Sequence, residues 1–272
     1  MFDAHVHSAP CLFPRLGTDL ETVAWYEAAG FSGCVLKGHF EPTAGRAAAA
    51  GAGRKTAVHG GVVLNEAVGG LNSAAVSSAL ELGARIVWMP TVDADAHWRA
   101  RLPRPPQLRG GARYGLPPKD WTTEGAVRRI VTLIAEADAV LGTGHLSAAE
   151  IAWLIPLARR AGVRRIVLTH VFFTVPALSP ADVREPVALG AHAEVTAFQL
   201  LHQPGMSAAR LAHLTGEAGL ARFLLSSDAG QPDSPPGPEA LALLTESLAR
   251  EGLDRGALQA AASEVPERLL SL

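Results

Sequence analysis

Phe2-Asp3-Ala4-His5-Val6-His7-Ser8 opens the chain. It reads as a strand, and its two histidines lie two residues apart, so they face the same side. Seven further short runs rich in β-branched or aliphatic residues follow, at 33–40, 58–65, 85–91, 139–145, 165–170, 191–196 and 223–228. Most are separated by Ala/Leu-rich stretches with helix start and stop signals. Thr18 with Glu21, and Ser147 with Glu150, are spaced as capping boxes. Asn72 is placed to cap a helix reaching Leu82, and Ser179-Pro180 reads as N-cap and first helical residue. Gly30, Gly83, Gly162 and Gly190 stand where helices would stop before the next strand. From about Pro238 the chain reads as two or three helices covering the sheet.

Eight strands alternating with helices predict an α/β fold, a (β/α)8 TIM barrel in one domain over residues 1–272. The rival, an open doubly wound sheet, would usually have fewer strands, and no G-x-G-x-x-G follows the first one. Apolar residues make up 48% and charged residues 18%, so a large core is expected. A net charge of −2 gives no whole-molecule reason to expect nucleic acid or an anionic membrane as partner. Two cysteines, Cys11 and Cys34, argue against a disulfide framework. No basic segment followed by an apolar stretch precedes the first strand, and no apolar run approaches the roughly 20 residues of a membrane span. The expected location is the cytoplasm.

One connection is unusually long. Residues 92–121 show no clear periodicity and carry five prolines, Trp98, Tyr114, Trp121 and a run of arginines including Arg104 and Arg109. It is either a solvated insertion or a lid over the site.

The chemistry-bearing residues sit at strand ends. His5 and His7 come from the first run, His145 ends the fifth, His170 the sixth and Asp228 the eighth. A closed barrel would bring these ends together, and imidazole and carboxylate donors suit zinc, manganese or iron more than calcium. Lys37 and His39, at the end of the second run, could face the same mouth. Asn65 at the end of the third could orient a substrate or simply stabilise a turn. Glu194 on the seventh faces the same way as His192 and is either a carboxylate behind a ligand histidine or half of a buried ion pair. Gly69-Gly70-Leu71-Asn72 leads into a helix start that could hold an anion, with a plain cap the simpler reading.

Strand order, H-x-H on strand one, Gly144-His145, Thr169-His170 and Ser227-Asp228 together resemble the amidohydrolase superfamily, in a little-characterised branch. The resemblance implies a small-molecule substrate and one or two divalent metals, zinc first, with manganese or iron open. Water activated by the metal would cleave an amide, a cyclic amide or lactone, or a related ester. His5, His7, His145, His170 and Asp228 would be ligands, and Asp228 the proton shuttle. With a single metal, His170 would instead stabilise an oxyanion. Binuclear members carry a carboxylated lysine or a glutamate on strand four, and residues 85–91 offer neither. Lys37 is therefore either a carboxylated bridging ligand from strand two, a cation for the substrate, or half of a structural ion pair. His39 is an added ligand or a hydrogen-bond donor to substrate. The same ligands would serve a metal-dependent decarboxylase or lyase, or a barrel holding a metal or ligand without turnover. A retained Asp228 argues against the last, since a carrier needs no proton shuttle. A homo-oligomer stays open.

Overall fold

The computed structural model describes residues 1–108 and 111–271, so Arg109 of the long connection lies outside the described residues. Eight parallel strands follow one another in sequence order: β1 Phe2–Val6, β2 Gly33–Leu36, β3 Ala57–Val63, β4 Ile86–Trp88, β5 Val140–Gly142, β6 Arg165–Leu168, β7 His192–Thr196 and β8 Phe223–Ser226. The last meets the first. Asp228 N donates to His5 O at 2.8 Å, and His7 N donates to Ala229 O at 2.8 Å. The sheet is thus a barrel wrapped by helices, as the strand count predicts.

Side-chain alternation builds two apolar layers. Val35, Val63, Ile86, Trp88, Val140, Val167 and Leu224 pack inside the barrel, where Leu269 and Leu270 of the last helix join them. Their strand neighbours Leu36, Val62, Val87, Leu141, Ile166 and Leu225 face outward against the helices. Both faces of a parallel sheet are covered, so its strands read as nearly continuous apolar runs.

Helix starts follow the local signals. Thr18 and Glu21 form a reciprocal cap, as do Ser147 and Glu150, and Ser179 caps with Asp182. Asn72 Oδ1 accepts from Ala74 N at 3.0 Å, which makes this helix start a plain cap. The final segment forms helices Gly237–Arg250, Arg255–Ala261 and Glu264–Leu270. No helix among the described residues is long and apolar enough to cross a membrane.

Two departures from the sequence reading bear on the site. The pairing ends before the expected runs do: His7, Lys37, His39, His145, His170 and Asp228 all lie one to three residues beyond their strands. They project from the loops at the barrel mouth, where ladder pairing no longer dictates their direction. β1 is also irregular. Asp3 pairs with Cys34 and Val6 with Leu36, so three steps along β1 match two along β2. Such a bulge re-aims side chains.

Trp88 fills the barrel beneath the mouth and is 2% exposed. Its room comes from two glycines on the flanking strands. A Cβ on Gly61 would stand 2.5 Å from Trp88 Cζ3, and one on Gly142 would stand 2.3 Å from Cδ1. Gly142→Ala should therefore destabilise the barrel by about 1–3 kcal/mol through overpacking. Urea unfolding checks this; an unchanged midpoint would mean that the indole has slack.

Candidate metal centre

β1, β2 and β8 deliver the densest part of the site. His5, His7 and Asp228 are buried, and one donor atom from each lies within 4.8 Å of the others. His5 Nε2 is 3.0 Å from Asp228 Oδ1, and His7 Nε2 is 3.2 Å from the same oxygen. The far nitrogens are held from behind. His5 Nδ1 meets Glu194 Oε1 at 3.1 Å, and His7 Nδ1 donates to the Lys37 carbonyl at 2.9 Å. Carbonyl oxygen only accepts, so in neutral His7 the proton sits on Nδ1 and Nε2 carries a lone pair.

Glu194 thus stands behind His5, as one sequence reading has it, and makes no bond to His192. Its carboxylate also accepts from Ser226 Oγ at 2.6 Å and from His170 N at 3.0 Å.

His145 and His170 complete the ring from β5 and β6. Their ring centroids are 4.9 Å apart. His170 Nδ1 is buried without any hydrogen-bond partner. His145 Nδ1 lies 2.8 Å from Nδ1 of His97, a residue the sequence reading did not single out. His97 Nε2 is 3.2 Å from the Pro103 carbonyl and must be the donor there. Its Nδ1 is therefore an acceptor when the ring is neutral, so His145 donates through Nδ1 and keeps a lone pair on Nε2.

Electrostatics keep most of these rings neutral. Burial lowers His7 and His145 well below the usual imidazole range, and takes His97 and His170 down to about 4. Burial works against ionisation of Asp228, but His5 and His7 beside it win and hold its carboxyl well below the usual range. The same contest at Glu194, settled by His5, brings it to about 2. Lys37 is pushed down to about 8 by burial, partly offset by Asp228 and Glu194. Its Nζ is 3.0 Å from His5 Nε2 and 5.1 Å from the centre of the Trp88 ring.

The backbone is bent to reach this arrangement. His170 and Asp228 have φ of 31° and 50°, the left-handed region that a side chain adopts at a cost of about 1–3 kcal/mol. Glu194 on His170 N and the His5 carbonyl on Asp228 N hold these turns in place.

A divalent cation fits this donor set. Neutral His7 Nε2 and ionised Asp228 Oδ1 are both acceptors, yet they stand 3.2 Å apart with no proton between them. Two lone pairs turned on each other in a buried site repel unless a cation lies among them. Nitrogen and carboxylate donors of this kind suit zinc, manganese or iron. His5, His7, Asp228, His145 and His170 are the residues placed to hold one or two such ions, with Lys37 among them.

The other expected residues separate. His39 lines the cavity above the cluster, stacked on His7 at 4.7 Å, with Nδ1 against Thr91 Oγ1 at 2.9 Å. Asn65 does not reach the cavity, which corrects its reading as a substrate-orienting residue. It is fully buried, donates to His39 O and Thr91 Oγ1, and accepts from Thr91 N at 2.8 Å. Its amide is consumed in tying the ends of β2, β3 and β4 together.

The described part of the long connection borders the mouth. It contains helix Asp95–Arg99 and contributes Val92, His97, Leu102 and Pro103 to the cavity wall. Arg104 pairs with buried Asp93, and the guanidinium groups of Arg104 and Arg113 lie 3.9 and 4.4 Å from the Trp98 ring centre.

Residues 1–194 match the family of unknown function DUF6282. The chain belongs to that family. By sequence, no curated protein matches it. Among solved structures it is similar to a mutant PTE-like lactonase from Deinococcus radiodurans, at 14% identity over 99% of this chain and 95% of that one, with a TM-score of 0.61. It is similar to the organophosphorus hydrolase from Deinococcus radiodurans, at 14% identity over 99% of this chain and 92% of that one (TM-score 0.61). It is also similar to N-acetyl-D-glucosamine-6-phosphate deacetylase from Mycobacterium smegmatis, at 16% identity over 99% of this chain and 76% of that one (TM-score 0.61). What they share with this chain is the barrel that the strand order predicts. At such identities the likeness concerns the fold.

His97 is expected to orient His145 as a ligand. If His145 is a ligand, His97→Ala should weaken metal binding by about 10- to 100-fold, with the fold retained. Competition against a chromophoric chelator would measure it; unchanged affinity would leave the two rings merely stacked. Uptake of metal should also release protons. Lys37 and His5, the latter raised to about 9 because Asp228 and Glu194 outweigh burial, hold protons at pH 7 that coordination displaces. Below their pKa values the protons are bound and must leave, so release should be at least one per site at pH 7 and should shrink as pH rises past 9. Weakly buffered indicator titration reads it directly.

Proposed function

We propose that this protein is a metal-dependent hydrolase of small molecules, acting on an amide, a cyclic amide or lactone, or a related ester. The observation that carries this reading is the pair of facing acceptors, His7 Nε2 and Asp228 Oδ1, at 3.2 Å. A cation bound there lowers the pKa of a water from 15.7 toward about 7 and polarises the scissile carbonyl.

The chain's own residues do the rest. Asp228 lines the cavity while touching the ligand histidines, so it is placed to take the proton of the attacking water and return it to the leaving group. Its depressed pKa keeps it ionised, so its oxygens act as acceptors. His39 holds Nδ1 against Thr91, whose hydroxyl already accepts from Asn65; the Thr91 proton then goes to His39 Nδ1, leaving Nε2–H as a donor for the substrate's developing oxyanion. With one metal bound, His170 would share that task. Val92, Leu102 and Pro103 of the long connection close the apolar wall on one side, which supports its reading as a lid that limits water in the cavity.

Lys37 is best read as a carboxylated ligand. An ammonium 3.0 Å from His5 Nε2 would oppose a divalent ion at the same donors by roughly 4 kcal/mol per unit-charge pair at 4 Å and an effective dielectric near 20. An amine with a pKa near 8 is substantially neutral in mildly alkaline solution and can add CO2, losing a proton and gaining a bridging carboxylate.

Elemental analysis should find one or two zinc, manganese or iron ions per chain. A panel of lactones, amides and esters should show turnover that chelation removes. Asp228→Asn should lower kcat by roughly 10²- to 10⁴-fold with metal partly retained; near-normal kcat would remove Asp228 from proton transfer. Lys37→Ala should lower the metal content from two to one or none, and short carboxylic acids should restore part of the activity. Full metal content in that variant would assign Lys37 to the substrate instead.

A further inference from the structure

The cavity above the cluster has a volume of about 370 Å³ and a mostly apolar wall, to which Phe13, Phe173 and Phe198 contribute. Phe173 packs edge-on against His170 at 5.1 Å and against Phe198 at 5.5 Å. Phe13 lies edge-on to His39 at 5.9 Å. These rings form an apolar slot leading to the ligand histidines.

Arg15 also lines this cavity. It has no carboxylate partner among the described residues, and its Nε is buried without a hydrogen-bond acceptor. Its side chain lies near Phe13, with the guanidinium carbon 5.7 Å from the ring centre. It lines the same cavity as His7, Lys37 and His39. The neighbouring Arg46 shows what a structural arginine looks like in the same region. It pairs with both oxygens of Asp19, at 2.8 and 2.7 Å, and also with Glu41 and the Pro10 carbonyl.

The loop that carries Arg15 is fixed at both ends. Ala9 N donates to Gly17 O at 2.8 Å, and Leu16 N donates to Gly230 O at 2.8 Å. The cation is therefore presented on a braced loop. A partly buried guanidinium nitrogen left without an acceptor costs free energy, and an anion entering the cavity would remove that cost.

We propose that Arg15 is the recognition residue for a carboxylate on the substrate, whose apolar or aromatic body lies along Phe13, Phe173 and Phe198. This rests on the hydrolase reading above and deepens it: the substrate class becomes small carboxylic acids carrying a hydrolysable bond at the far end from the acid. A carboxylate presents two oxygens in one plane, which a single guanidinium fork covers. A phosphoryl group presents three oxygens and more charge, which one fork between apolar walls leaves partly unmatched.

The test uses the metal-loaded protein and three probes of like shape: phenylacetate, phenylacetamide and benzylphosphonate. Calorimetry should show phenylacetate bound more tightly than the other two. Arg15→Met should weaken phenylacetate by about 10- to 100-fold and erase its preference over phenylacetamide, at unchanged metal content and melting midpoint. Arg15→Lys should recover part of that preference. Wild-type-like phenylacetate binding in Arg15→Met, equal affinity for acid and amide, or tighter binding of the phosphonate would each overturn the proposal. Turnover of the ester and lactone panel by the wild-type protein reports separately on the hydrolase reading. Arg15-dependent carboxylate binding without turnover would sink that reading alone.

Discussion

The seam between β1 and β8 is the constraint on which the site depends. His5 and His7 come from one end of the chain and Asp228 from near the other, so they meet only if the barrel closes. Closure is fixed by a buried carboxylate. Asp3 Oδ1 accepts from His5 N at 3.1 Å and from Ser227 N at 3.0 Å, while Oδ2 accepts from Tyr26. Two of these three donors are or adjoin a site residue: His5 itself, and Ser227 next to Asp228. The bulge in β1 lies at this point too, so the irregularity that turns the histidines and the bond that closes the barrel belong to one local structure. Burial holds the Asp3 carboxyl above its usual range, and the hydrogen bonds of the seam offset this only in part.

Around that seam the chain accepts unfavourable local states. A buried lysine stands beside a buried histidine, an imidazole nitrogen lacks a partner, two side-chain-bearing residues adopt left-handed backbone, and a guanidinium nitrogen has no acceptor. Away from the site barrel layers alternate and glycines make room for the indole inside, though Arg101 and Asp138 also adopt left-handed backbone and Arg159 Nε and His192 Nδ1 also lack partners. What sets the site apart is that several such states adjoin one another there, as expected where binding rather than stability decides the arrangement.

The fold and the gathering of histidines and Asp228 at the mouth were legible because both follow from periodicity and order. Eight apolar runs alternating with capped helices admit few architectures, and histidines at their ends converge in any closed barrel. What escaped depends on loop geometry. His97 sits in a stretch without periodicity, and its only sequence signal is a histidine shortly after a barrel strand. Arg15 is one of many arginines, and nothing in the sequence tells this one, which lines the cavity, from Arg46, which is bound to Asp19. Asn65 was placed correctly at a strand end, yet the direction of its side chain is set by the backbone groups of two neighbouring strand ends, which sequence order does not encode. Glu194 was recognised as a possible support for a ligand. Which histidine it supports depends on the bulge in β1 across the barrel.

The connection between β4 and the helix Trp121–Glu136 is part of this logic. Its short helix carries His97, whose ring fixes the proton of His145, and the carbonyl that fixes His97 in turn belongs to Pro103 of the same connection. Arg104, next in sequence, anchors that stretch to buried Asp93 and to Trp98. A movement that opened the cavity by lifting this segment would therefore release the nitrogen that sets the tautomer of His145. Opening and the protonation of that ring are linked through one hydrogen bond. The cavity wall and His145 on this side of the barrel are thus coupled, and a change of backbone at Pro103 reaches His145 through His97.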